Sequence, residues 1–175
     1  MVKSQFKQIK TFIYATAFSI LSGCNYEPKI LMQRVPYEGN ELRIDGYYYH
    51  RNNDSNARTN VCFLFRNGVM FNSGTYWTND LDEVEQNLTT FHEKGWFDKQ
   101  LHGWGVFNVN VDRFENEQWC AICGHVLRYV GRVENDTTIH LLQCIDPLAG
   151  VSPMDEIYKF KKFSPKPDSI KFFIK

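Results

Sequence analysis

The sequence has no apolar run long enough to cross a bilayer. Its most apolar early stretch, Thr11 to Leu21, has 11 residues, whereas a spanning helix needs about 20. It also lacks a charge excess: 20 basic and 20 acidic residues balance, leaving no electrostatic footprint for nucleic acid. Gly-x-Ser-x-Gly, a phosphate loop and His-Glu-x-x-His are all missing. The histidines His50, His92, His102, His125 and His140 are scattered, so no signature points to an enzyme, and no cofactor is expected. What the chain does have is apolar mass. Hydrophobic residues make up 43% and aromatic residues 15% of its 175 positions, enough to fill the core of one domain and too many for a disordered chain.

The N-terminus is patterned. Lys3, Lys7 and Lys10 precede the run Thr11 to Leu21, and the small residues Ser22 and Gly23 follow it, the order of a secretion signal. The junction Leu21-Ser22-Gly23-Cys24 resembles the lipobox of bacterial lipoproteins, whose cysteine becomes the first mature residue and carries acyl chains such as palmitate. That resemblance implies a signal peptide over residues 1–23, lipidation at Cys24, and a cell-envelope protein that meets the membrane through its anchor. Without residues 1–23 the chain loses three lysines and no acids, leaving 17 basic and 20 acidic residues, a formal charge of −3. Pro28, Pro36 and Gly39, with no clear period around them, read as a tether over residues 24–40 and place the start of the domain at Glu41.

From there the dominant period is two. Leu42, Ile44 and Tyr48 begin a first strand, with Gly46 placed for a bulge or bend, and a polar loop from His50 to Asn60 follows. Val61, Phe63 and Phe65 alternate up to Asn67-Gly68, which predicts a type I′ hairpin turn before Val69 to Phe71. Both faces of this hairpin carry apolar residues, so something must cover the second face. Between Asn79 and Lys94 the period changes. Leu81, Val84, Leu88 and Phe91 form one helical stripe, capped by Thr78 or Asn79 and ended by Gly95, and it reads as a lid lying on the sheet.

Gly103 to Ile145 is an antiparallel meander. In its first strand Phe107, Val109 and Val111 share one parity and Asn108 and Asn110 the other. Arg113 to Trp119 follows, then Val126 to Glu134, a turn at Asn135-Asp136, and the return from Thr137 to Ile145. A loop from Asp146 to Met154 and a last strand from Glu156 to Phe163 complete the count, and the apolar run Ile170 to Lys175 is expected to dock on the barrel. The prediction is a mainly β protein: an antiparallel up-and-down barrel of about eight strands with one helix, closed so that no edge is exposed.

Four runs sharpen this picture: Phe65-Arg66-Asn67-Gly68-Val69, Trp104-Gly105-Val106-Phe107, Gly131-Arg132-Val133-Glu134-Asn135-Asp136-Thr137-Thr138, and Phe160-Lys161-Lys162-Phe163-Ser164-Pro165-Lys166-Pro167-Asp168-Ser169. Together they resemble a group of uncharacterised bacterial lipoproteins with lipocalin-like barrels. The resemblance covers residues 41–175 and implies a lipocalin-like fold.

Cys62, Cys120, Cys123 and Cys144 remain once Cys24 is set aside, an even number that allows three disulfide pairings in an oxidising compartment. Cys120 and Cys123 can pair with each other only across a turn, because extended chain would hold their Cα atoms about 10 Å apart. Cys120-x-x-Cys123-x-His125 with Cys144 or His140 could hold zinc, but a single Cys-x-x-Cys pair is weak evidence, and no metal is expected. A barrel of about eight strands holds packed side chains or one small ligand. Phe107, Val109, Tyr129 and Ile139 are the candidates to line such a site. Two functions follow: a tethered protein that binds a small apolar or amphipathic ligand, or a non-enzymatic envelope interaction protein whose barrel is filled and whose partner the sequence does not name.

Overall fold

The computed structural model describes residues 29–52 and 57–170. Eight strands follow one another around a closed antiparallel barrel: β1 (Gly46–Asn52), β2 (Arg58–Leu64), β3 (Val69–Tyr76), β4 (Trp104–Asn110), β5 (Arg113–Cys120), β6 (His125–Asn135), β7 (Thr138–Asp146) and β8 (Gly150–Lys162). Each strand pairs with the next, and β8 returns to β1 with Tyr48 opposite Phe160. The predicted mainly β, up-and-down architecture is the one observed. Gly46 serves this closure through close approach: a Cβ there would sit 2.0 Å from the Lys161 carbonyl oxygen.

Two helices, where one was expected, occupy the β3–β4 connection: α1 (Leu81–Glu93) and the short α2 (Trp96–Lys99). Gly95, at φ 59°, ends the first and starts the second, a backbone state that favours glycine. The N-cap of α1 is Asp80, whose carboxylate accepts from the Asp82 N–H at 2.9 Å, while Thr78 Oγ1 accepts from the Asp80 N–H one step earlier. Both upstream candidates therefore yield to an aspartate that also faces the positive helix end. The helical stripe lies on the sheet as predicted, with Val84 and Leu88 fully buried against Tyr47, Phe63, Phe71 and Phe97.

Three local expectations change. The β2–β3 hairpin is present, but only Gly68 has positive φ (80°); Gly68 N–H donates to the Phe65 carbonyl and Phe65 N–H to the Val69 carbonyl. This is a three-residue loop ending in a bulge glycine rather than a two-residue type I′ turn. Strand structure also extends into the predicted His50–Asn60 loop from both sides. Finally, β8 begins at Gly150 rather than Glu156 and runs through Pro153. The β7–β8 register shifts between Leu141 and Gln143, next to the Gln143–Pro153 pair, so the residue without an N–H sits beside an irregularity in the ladder.

The packing is divided between the two faces of the wall. Outward residues of β1–β4, including Tyr47, Phe63, Phe71, Trp104 and Val106, form one cluster with the helices. Inward residues, including Tyr48, Leu64, Met70, Phe107, Phe114 and Ile139, form a second cluster inside the barrel. The outer face of β5–β8 is polar instead, with Glu115 paired to Arg113 and Arg128, and His140 between Glu134 and Asp155.

Residues 29–40, predicted as a tether, lie against this barrel. Glu117, pointing outward from β5, accepts the N–H groups of Leu31 and Met32 at 2.8 and 2.7 Å. Farther along, Asn108 Nδ2 donates to the Gln33 carbonyl, and Tyr37 N–H donates to the Arg66 carbonyl. The strap therefore descends β5 and β4 and ends under the barrel, where Tyr37 and Leu42 join the inner cluster. The tail returns to the same end, and Lys166 Nζ donates to the carbonyls of Ile44 and Leu64, both at 2.7 Å. This end is closed. Ile170 is exposed, and the rest of the terminal run, like residues 1–28 with Cys24, lies outside the described residues.

Candidate functional site

At the other end the barrel is hollow. β3 pairs with β4 only from Val69 to Phe71, and the upper part of β3 passes the upper part of β5 with a cavity of about 270 Å³ behind them. Phe114, Ile139 and Leu141 form the apolar depth of this space, and Met70 and Met154 add flexible walls. Below it Phe114 stacks on Phe107, with ring centroids 6.1 Å apart, and Phe107 in turn meets Tyr37 of the strap at 5.6 Å. The aromatic stack is a floor between the cavity and the closed end.

Polar side chains take up much of the remaining lining. On the β2–β3 wall, Thr75 Oγ1 donates to Asn60 Oδ1 at 2.6 Å and Asn72 Oδ1 accepts from the Gly74 N–H. On the β5–β8 wall, Tyr129 hydrogen-bonds to Gln118 and Cys144, and Tyr158 Oη donates to Glu156 Oε2 at 3.3 Å. Burial raises the hydroxyl pKa of both tyrosines, so they remain neutral donors. Asn116 is different. It is 4% exposed and lines the cavity, and its Oδ1 has no hydrogen-bond partner. A buried amide oxygen in that state normally finds a water or a ligand donor.

Of the four sequence-based lining candidates, Tyr129 and Ile139 line the cavity. Phe107 and Val109 also face inward, but they belong to the closed end. Phe107 is fully buried in the floor, and Val109 borders a separate recess of about 290 Å³ under the strap, alongside Pro36, Tyr37 and Glu38. Sequence reasoning missed Asn116 and Gln118 because polar residues in a strand are expected to face water. The signal was on the opposite parity of β5: Arg113, Glu115 and Glu117 carry the charges, and they turn outward and send the amides in.

The cysteines are also placed. Cys120 and Cys123 form a disulfide across the β5–β6 turn, with Cα atoms 5.2 Å apart, while Cys62 and Cys144 are free thiols. Cys62 lines the cavity, and burial pushes its thiol up to about 12; burial likewise raises Cys144. Neither has the lowered pKa of a reactive thiolate. His125 pairs with Asp146 at 3.1 Å and His140 with Asp155 at 2.7 Å. No group of three or more metal-ligating side chains is gathered among the described residues. No family model, curated protein or solved structure matches the chain.

Proposed function

We propose that this protein is a lipid-anchored envelope protein that binds a small apolar or amphipathic molecule inside its barrel. The observation that carries this reading is the cavity itself: a space of about 270 Å³ with an apolar depth and a polar mouth, just under the usual range for ligand pockets and so suited to a small guest. A barrel that served only as a scaffold would gain stability by filling it. The test uses N-phenyl-1-naphthylamine, whose emission rises in an apolar site. Leu141→Trp should occupy the cavity and abolish the fluorescence rise while far-UV circular dichroism keeps the wild-type β signal. A wild-type protein that gives no rise would defeat the reading.

The anchor is Cys24, supported by the basic residues, the apolar run and the Leu21-Ser22-Gly23-Cys24 junction in sequence. The Cys120–Cys123 disulfide fits a compartment outside the reducing cytosol. Radiolabelled palmitate supplied to bacteria expressing the full chain should enter the wild type and not Cys24→Ser. Equal labelling of the two would remove the anchor from the proposal.

A second reading, an interaction protein working through its loops, has its own support. Trp77, Ile122 and Leu148 are exposed on three connections at the open end of the barrel. Loss of function in Trp77→Ser with unchanged probe binding would favour it.

A further inference from the structure

We infer that the cavity selects a ligand whose buried end carries a hydrogen-bond donor, a hydroxyl or a protonated amine, and disfavours fatty-acid-like carboxylates. This rests on the reading that the cavity holds a ligand, and it follows from how the lining is satisfied. Asn60 is engaged by Thr75, Asn72 by the Gly74 N–H, and Gln118 by Tyr129. Among the described residues Asn116 Oδ1 alone of the lining side-chain oxygens is both buried and without a partner, so what it lacks is a donor. It projects from the middle of β5, between Phe114 toward the floor and Gln118 toward the mouth. A ligand donor meeting it would place its apolar body against Phe114, Ile139 and Leu141.

Charge points the same way. Among the described residues Glu156 is the only ionisable carboxyl in the lining, and neither Lys nor Arg joins it. A carboxylate ligand would thus meet a like charge and an amide oxygen with no cation to compensate, an arrangement that costs affinity. An ammonium would meet an opposite charge and an acceptor. The volume limits the guest to on the order of 10 to 20 non-hydrogen atoms, too small for a whole two-chain lipid.

Displacement of bound N-phenyl-1-naphthylamine by n-octylamine, n-octanol and n-octanoate compares three headgroups on one chain. The expected order is amine and alcohol ahead of carboxylate by about tenfold or more in the concentration for half-displacement. Asn116→Leu, close in volume, should weaken the alcohol by about tenfold, each half-displacement concentration being corrected for the variant's own affinity for the reporter. Octanoate displacing as well as octylamine, or an Asn116→Leu protein with the wild-type order and strength, overturns the donor requirement while the ligand site stands. If the reporter does not bind and calorimetry with octanol shows no heat in the wild type, the site itself is lost and the inference falls with it.

Discussion

Lys166 shows how a single residue ties the tail to the barrel. Its ammonium lies 4.4 Å from the centre of the Phe65 ring and donates to two main-chain carbonyls, and burial lowers its pKa to about 8, against about 10.4 in an unfolded chain. Below pH 8 both states are protonated and the folded one bears the desolvation cost. Between pH 8 and about 10 the folded state loses its proton while the unfolded state keeps it, so this residue's contribution to stability rises with pH. Cys62 and Cys144 act in the opposite sense, because their raised thiol pKa values make the unfolded chain the first to ionise above about pH 8.5. A comparison with Lys166→Met cancels them. The stability of the wild type relative to the variant, measured by urea unfolding, should increase by about 1 kcal/mol between pH 7.5 and 9.5, allowing for partial exposure. A difference that stays constant with pH would mean that the two carbonyls and the ring hold Lys166 fully charged.

At the scale of elements, what the sequence made legible was period, and what it hid was decided by partners. The helix could be read because Leu81, Val84, Leu88 and Phe91 repeat at helical spacing whatever they pack on, and the meander from β4 to β7 because its alternation is nearly unbroken. The length of β8 was hidden. Pro153 and Gly150 signal a loop locally, yet β7 supplies a ladder from Ile145 opposite Val151 to Thr138 opposite Lys159 that carries the strand past both. The strap was hidden for a similar reason. Residues 29–40 have no period of their own, and what orders them is a carboxylate far away in sequence, Glu117, together with the Arg66 carbonyl at the β2–β3 turn. At the site, parity correctly separated inward from outward residues for Phe107, Val109, Tyr129 and Ile139. Parity carries no information about depth, however, and the strap decides which end of the barrel is filled.

For the whole molecule, the consequence is a barrel with two unlike ends: one sealed by strap and tail, the other left hollow. Tyr37 is the centre of the seal. It is buried beneath Phe107, its hydroxyl accepts the Leu42 N–H at 2.6 Å and donates to Glu41 at 3.0 Å, and its own carbonyl accepts from Arg66. The recess beside it shares no lining residue with the cavity at the open end, because the stacked Phe107 and Phe114 stand between them. Stability and binding should therefore separate. Tyr37→Ala removes a buried aromatic ring and should cost about 3 kcal/mol in urea unfolding, yet the affinity for N-phenyl-1-naphthylamine, measured below the unfolding transition, should stay within about threefold of wild type, well under the tenfold that one lost hydrogen bond can produce. A tenfold loss of affinity would show that the two ends form one continuous interior and that the seal shapes the site directly. An unchanged unfolding midpoint would show that the tail alone closes the barrel.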